Sequence, residues 1–212
     1  MTAVIYGIIG IVIGYKIPWL SQKIISYKKK EVSTNFNFLF STQLQLLLSL
    51  FNGAVWYITA LNAENKLVAM LIGLIIVTGL ITAFVDICIR IIPNEIILLF
   101  VVLGLLFQIS HFGVNTLTAA FISMIVLMVV FTAVAAFVGF GKVGAGDVKL
   151  AGAMGLTLGY PLIIIAVMAM AAVLLVFIGV GMLLKKIYLS TMLPLAPFIV
   201  SGMIISIMTV LL

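Results

Sequence analysis

Leu67 to Val85 runs for 19 residues without a charge, interrupted only by Gly73, Thr78, Gly79 and Thr82. About 20 such residues, wound as a helix, cross the hydrocarbon of a bilayer. Inside hydrocarbon every peptide N–H and C=O must be paired within the protein, so only helices and closed barrels can span it. Barrel strands alternate apolar and polar side chains. This run is continuous, which selects the helix. The whole chain follows the same pattern. It is 66% hydrophobic and 8% charged, with a mean hydropathy of +1.47, whereas soluble domains carry about 25% charged residues. The expected fold is all-α: a polytopic transmembrane helical bundle forming one integral domain over residues 1–212.

In chain order, Ala3–Tyr15 is a first apolar segment that ends at Lys16 and Pro18. A basic loop at 16–42 follows, then a second span, Leu44–Leu61. Residues 1–66 thus read as two N-terminal spans, and 67–212 as the core that carries the chemistry. The third span is Leu67–Val85, stopping at Asp86; the fourth is Ile96–Phe112 and the fifth Leu117–Phe140. Pro93 disfavours helix at Ile92, and Asn94 suits the cap of the fourth span. A glycine turn occupies Gly141–Lys149, and Leu150–Gly159, Leu162–Leu184 and Phe198–Leu212 complete about eight segments. Leu150–Gly159 is short for a crossing and is either a span that starts near Val143 or a re-entrant segment. If every segment crosses, 10 of the 11 basic residues fall on one side and only Lys66 on the other. That matches the excess of Lys and Arg on cytoplasmic loops. The net charge of +6 therefore reports topology rather than nucleic-acid binding, and both termini are expected outside. No basic residue precedes the apolar stretch from Ala3 to Ile13, so a cleaved signal peptide is not expected.

The same topology puts Asp86 and Asp147 on the cytoplasmic side. A charged aspartate beside hydrocarbon costs roughly 2.5–3.5 kcal/mol or more, so each is a candidate functional group. Two carboxyls in a poorly hydrated site do not both ionise easily, and one keeps its proton. The ionised member can deprotonate water while the protonated member donates to a carbonyl oxygen. Such chemistry needs neither a metal nor a nucleophilic side chain. Gly144 and Gly146 let a substrate backbone approach Asp147 closely. The single cysteine, Cys88, excludes an internal disulfide and a cysteine-built metal cluster.

Gly144-Ala145-Gly146-Asp147-Val148-Lys149-Leu150, together with Asp86 ahead of Ile92-Pro93-Asn94, resembles the type IV prepilin peptidases. Pro194-Leu195-Ala196-Pro197-Phe198 is similar to the proline-rich segment near that family's C-terminus. The resemblance covers about Leu67 to Leu212. It implies a membrane aspartic endopeptidase with Asp86 and Asp147 catalytic. Gly144, Gly146, Lys149, Pro93, Asn94 and Arg90 would support them, and Pro194 and Pro197 would meet substrate. The implied partners are prepilin or pseudopilin precursors with a short basic leader, cut at the cytoplasmic face of a bacterial cytoplasmic membrane. Many members also methylate the new terminus from S-adenosylmethionine and carry paired, zinc-binding cysteines in the first cytoplasmic loop. The loop at 16–42 has no cysteine. No metal and no cofactor are expected for proteolysis, and methylation stays open.

Blander roles compete. Asp147 could cap a helix starting at Val148, and Asp86 with Arg90, at i and i+4, could be an interfacial ion pair. Arg90 and Lys149 could anchor helix ends by snorkelling. Lys28, Lys29 and Lys30 set topology and touch anionic lipid. His111 reads as a residue of the far turn. Gly73, Gly79, Gly152 and Gly155 suit close helix contacts. Two other functions stay open. One is an ion-coupled transporter using intramembrane carboxylates. The other is a Gly-x-Gly-Asp protease of the presenilin kind, whose Tyr-Asp and Pro-Ala-Leu motifs fit poorly here, where Val85 precedes Asp86.

Overall fold

The computed structural model describes residues 1–28, 41–138, 144–186, 188 and 192–211. Among these residues it forms eight α-helices and no strand: α1 (Thr2–Lys28), α2 (Thr42–Asn62), α3 (Lys66–Ile89), α4 (Asn94–Phe107), α5 (Leu117–Val138), α6 (Ala145–Leu158), α7 (Leu162–Leu183) and α8 (Ala196–Leu211). A π-helical turn, Gln108–Phe112, extends α4. With such extensions six helices are long and apolar enough to cross a membrane: α1 to α5 and α7. The other two are shorter, 14 residues in α6 and 16 in α8.

Side-chain bonds sort the helix ends into two groups. At one end Lys28 of α1 pairs with Glu95 of α4 at 2.7 Å, and the main chain of Ala196 in α8 binds Asp86 of α3 at 3.1 Å. At the other, the Tyr6 hydroxyl of α1 donates to the Lys66 carbonyl of α3 at 3.0 Å, and Ser206 of α8 donates to the Leu162 carbonyl of α7 at 2.8 Å. Successive helices therefore alternate in direction. The short α6 obeys the same rule. It runs parallel to α4, with Lys149 bonded to Asn94 at one end (2.9 Å) and the Thr157 carbonyl bonded to Gln108 at the other (3.0 Å). Fourteen residues rise only about 21 Å, yet α6 reaches the opposite end of the bundle instead of turning back.

The central helix is α3, packed on α1, α2, α4 and α8. Its Leu71, Ile72, Ile75 and Ile76 are buried in one apolar core with Phe100 and Phe107 of α4, Met154 of α6 and Ile199 of α8. In lipid, apolar side chains gain little by leaving the solvent, so association depends on close packing and small residues. All four glycines singled out in the sequence lie at such contacts. A Cβ on Gly79 would meet Val200 at 2.9 Å, one on Gly152 would meet Met128 at 2.7 Å, and one on Gly155 would meet the Ser123 carbonyl at 2.7 Å. Gly73 faces the Trp56 indole.

The first segment differs from expectation. It does not end at Lys16 and Pro18 but continues as one helix to Lys28, with Pro18 inside. Packing overrides the proline: Ile17, Pro18, Ser21 and Ile25 are all buried, and Gly14 lies against the backbone of Leu48 and Ser49. Lys16, Lys23 and Lys28 of the expected basic loop therefore lie in α1, and its Lys29 and Lys30 lie outside the described residues.

Candidate active site

Asp86 sits in the last turn of α3. The apolar run ends at Val85, but the helix continues to Ile89, where Arg90 closes it in the left-handed conformation (φ 53°), its N–H bonded to the Asp86 carbonyl at 2.8 Å. The aspartate side chain therefore points from a formed helix into the bundle, and the residue is only 4% exposed. Its Oδ2 accepts the main-chain N–H of Ala196 at 3.1 Å. Ala196 is the first residue of α8, and the first N–H groups of a helix have no partner within it. They suit a carboxylate for that reason and because the dipole there is positive. The predicted substrate segment thus contacts the carboxyl directly. Pro194 and Pro197 flank the donor, and neither has an N–H of its own.

Asp147 is supplied by α6. It does not precede that helix: α6 begins at Ala145 with Gly144 as cap, which makes Asp147 the third helical residue. Its Oδ2 accepts the Gly144 N–H at 3.0 Å, the reach-back half of a capping box. The capping role therefore occupies one oxygen. The other, Oδ1, is buried with no hydrogen-bond partner. Burial pushes the Asp147 carboxyl above the usual carboxylate range, and the Gly144 N–H opposes that only in part. Asp86, in the last turn of α3, and Asp147, in the first turn of α6, thus come to the same end of the bundle although 61 residues separate them.

Two contacts hold them there. A Cβ on Gly146 would come within 3.1 Å of the Ile92 Cβ, so glycine at this position lets the first turn of α6 lie on the corner between α3 and α4. Beside it the Lys149 ammonium donates to Asn94 Oδ1 at 2.9 Å. This corrects the expected role of Asn94. Pro93 is the cap residue of α4 and Asn94 its first residue, with the amide turned outward to Lys149 instead of back onto its own helix. Arg90, Asn94, Gly144 and Lys149 are exposed, whereas Pro93 is buried and Pro194 and Pro197 are half-buried. Lys149 thus ties α6 to α4 rather than reaching into lipid.

Ala196 was not anticipated, because a main-chain donor carries no side-chain signal. The Lys28–Glu95 pair was also missed; charges 67 residues apart are not paired by any local rule. His111 lies at the far end, stacked on Phe107 with ring centroids 5.4 Å apart. Among the described residues no group of three His, Cys, Asp or Glu side chains is brought together as metal ligands would be.

The sequence model of the type IV leader peptidase family matches residues 73–180, just over half of the chain. That stretch holds both aspartates and the corner that joins them, and stops short of α8. No curated protein and no solved structure matches the chain. Two aspartates joined at one end of a membrane helical bundle, inside a match of that extent, place this chain in the type IV leader peptidase family.

Proposed function

We propose that the protein is an aspartic endopeptidase that removes the short basic leader from type IV prepilin or pseudopilin precursors, with Asp86 and Asp147 as its acid–base pair. The observation that carries this reading is that two carboxyls from different helices lie at one end of the bundle, where α6 rests on Ile92 and Asn94, one of them with a buried, unpartnered oxygen. The pair holds one proton. Its ionised carboxylate takes a proton from a water, whose oxygen attacks the scissile carbonyl carbon. The protonated carboxyl gives its proton to the carbonyl oxygen. The tetrahedral diol then collapses: the leaving amine takes a proton from one carboxyl while a diol hydroxyl gives its proton to the other, so the pair again holds one proton. Both aspartates sit at helix ends, the last turn of α3 and the first of α6, where water reaches them more readily than at mid-membrane. A proton relay for transport would instead be expected near the midplane.

Cleavage is assigned to the cytoplasmic face, because Lys28, Arg90, Lys149, Lys185 and Lys186 belong to the aspartate end of the bundle and Lys66 to the other. Cytoplasmic ends carry the basic excess. The chain termini then lie outside. The test is reconstitution of the purified protein with a synthetic precursor, a basic leader ending in glycine followed by an apolar helix of about 20 residues, with products read by mass spectrometry. Cleavage after the glycine, unchanged by EDTA, is expected. No cleavage, or cleavage lost to EDTA and restored by zinc, would contradict the reading.

A further inference from the structure

The two helices on either side of α6 diverge: α5 packs on α6, while α7 packs on α8. Between α5 and α7 lie two cavities in line. One, of about 540 Å³, is lined by Ile122 and Val126 of α5 and by Ile164 and Met168 of α7. The other, of about 280 Å³, is lined by Val130 and Val134 of α5 and by Met170 and Leu174 of α7, and ends at Leu195 and Phe198. Leu127 and Val167 line both, so together they form one groove. From Ala119 to Val134 it follows α5 for about 22 Å of helical rise, most of the height of a bilayer.

The lower end of this groove fixes what it can serve. Leu195 and Phe198 bracket Ala196, whose N–H holds the Asp86 carboxylate. Whatever lies in the groove therefore touches the same four-residue turn that positions the carboxyl. The lower cavity has only apolar lining residues. A charged or polar occupant would be left without partners there.

We infer that the groove between α5 and α7 is the docking surface for the apolar membrane helix of the precursor, which enters sideways from the bilayer. Its leader end lies at Leu195–Phe198, next to Asp86. This rests on the peptidase reading and extends it. The enzyme selects substrates by a helix packed along α5 and α7, and a peptide without that helix loses most of its affinity. Packing in lipid depends on close fit, so filling the groove weakens binding before it alters chemistry.

The test is photocrosslinking in membranes. A p-benzoylphenylalanine is placed at Val126 or Val130, in the groove, or at Val176, an exposed α7 residue outside both linings. Each is carried by the full chain with Asp147→Asn, and the same synthetic precursor is added. Precursor adducts at Val126 and Val130 and none at Val176 are expected. In the otherwise unaltered chain, Val167→Phe raises KM for the precursor about tenfold with kcat little changed, the pattern of lost uniform binding. Lipid adducts alone at the groove positions, or an unchanged KM, overturn the docking surface while cleavage by the wild type leaves the peptidase standing. Failure of the wild type to cleave overturns both.

Discussion

The most informative single atom is Oδ1 of Asp147, buried without a partner while Oδ2 takes the Gly144 N–H. A buried carboxylate oxygen with no donor costs free energy that a merely structural cap would avoid. Burial raises this carboxyl above its ordinary value of 3.8, so ionising it costs more in the folded protein than in the unfolded chain. The sign for stability follows. The group's favourable contribution is complete below the unfolded value and is lost as pH rises through the higher folded one. Asp147→Asn, which cannot ionise, should therefore unfold in detergent at the same or a higher temperature than the wild type at pH 7. The difference should shrink as pH falls below the ordinary value of 3.8. Thermal melts across pH check this, and a lower melting temperature at pH 7 would mean that the carboxylate holds the fold together. Both aspartates were legible in the sequence because a charge beside hydrocarbon is out of place. Ala196 was not: its contribution is a backbone N–H, and only the prolines around it hint that few donors remain in that turn.

Among the elements, hydrophobic runs located every helix but misjudged several ends, two of them for a tertiary reason. The first helix passes Pro18 because buried contacts on α2 and α3 offset the lost backbone bond. The third extends one turn past Asp86 because Ala196 satisfies the carboxyl there. The sixth starts at Ala145, close to the start near Val143 that the sequence allowed, with Gly144 in the cap position. Small residues were more reliable guides, since closeness of backbones in lipid depends on them. Gly155→Leu should force α5 and α6 apart, because a Cβ there would sit 2.7 Å from the Ser123 carbonyl. Overpacking of this kind costs about 1–3 kcal/mol. Gly179→Leu on α7, where a Cβ would meet nothing within 4 Å, should be tolerated. Parallel melts of the two variants test this, and equal stability would show that the α5–α6 contact is not tight.

For the whole molecule, eight helices of alternating direction gather the C-terminal end of α3 and the N-terminal ends of α4, α6 and α8 at one end of the bundle. Charge bias in the sequence already placed the two aspartates on one side, because topology leaves its mark in where Lys and Arg lie. The contacts that join them do not follow from that bias: Gly146 on Ile92, Lys149 on Asn94 and Ala196 on Asp86 each link residues more than 50 positions apart. The gap between α5 and α7 was equally hidden, since both helices read as uniformly apolar. All of this arrangement has a function only if the two carboxyls act as one pair. The direct measurement is cleavage of the synthetic precursor by membranes carrying the wild type, Asp86→Asn or Asp147→Asn at equal amounts of inserted protein. Loss of positioned acid–base chemistry costs on the order of 10²–10⁴ in rate, so both variants should fall at least a hundredfold while remaining folded. If either folded variant cleaves at the wild-type rate, Asp86 and Asp147 are not the catalytic pair.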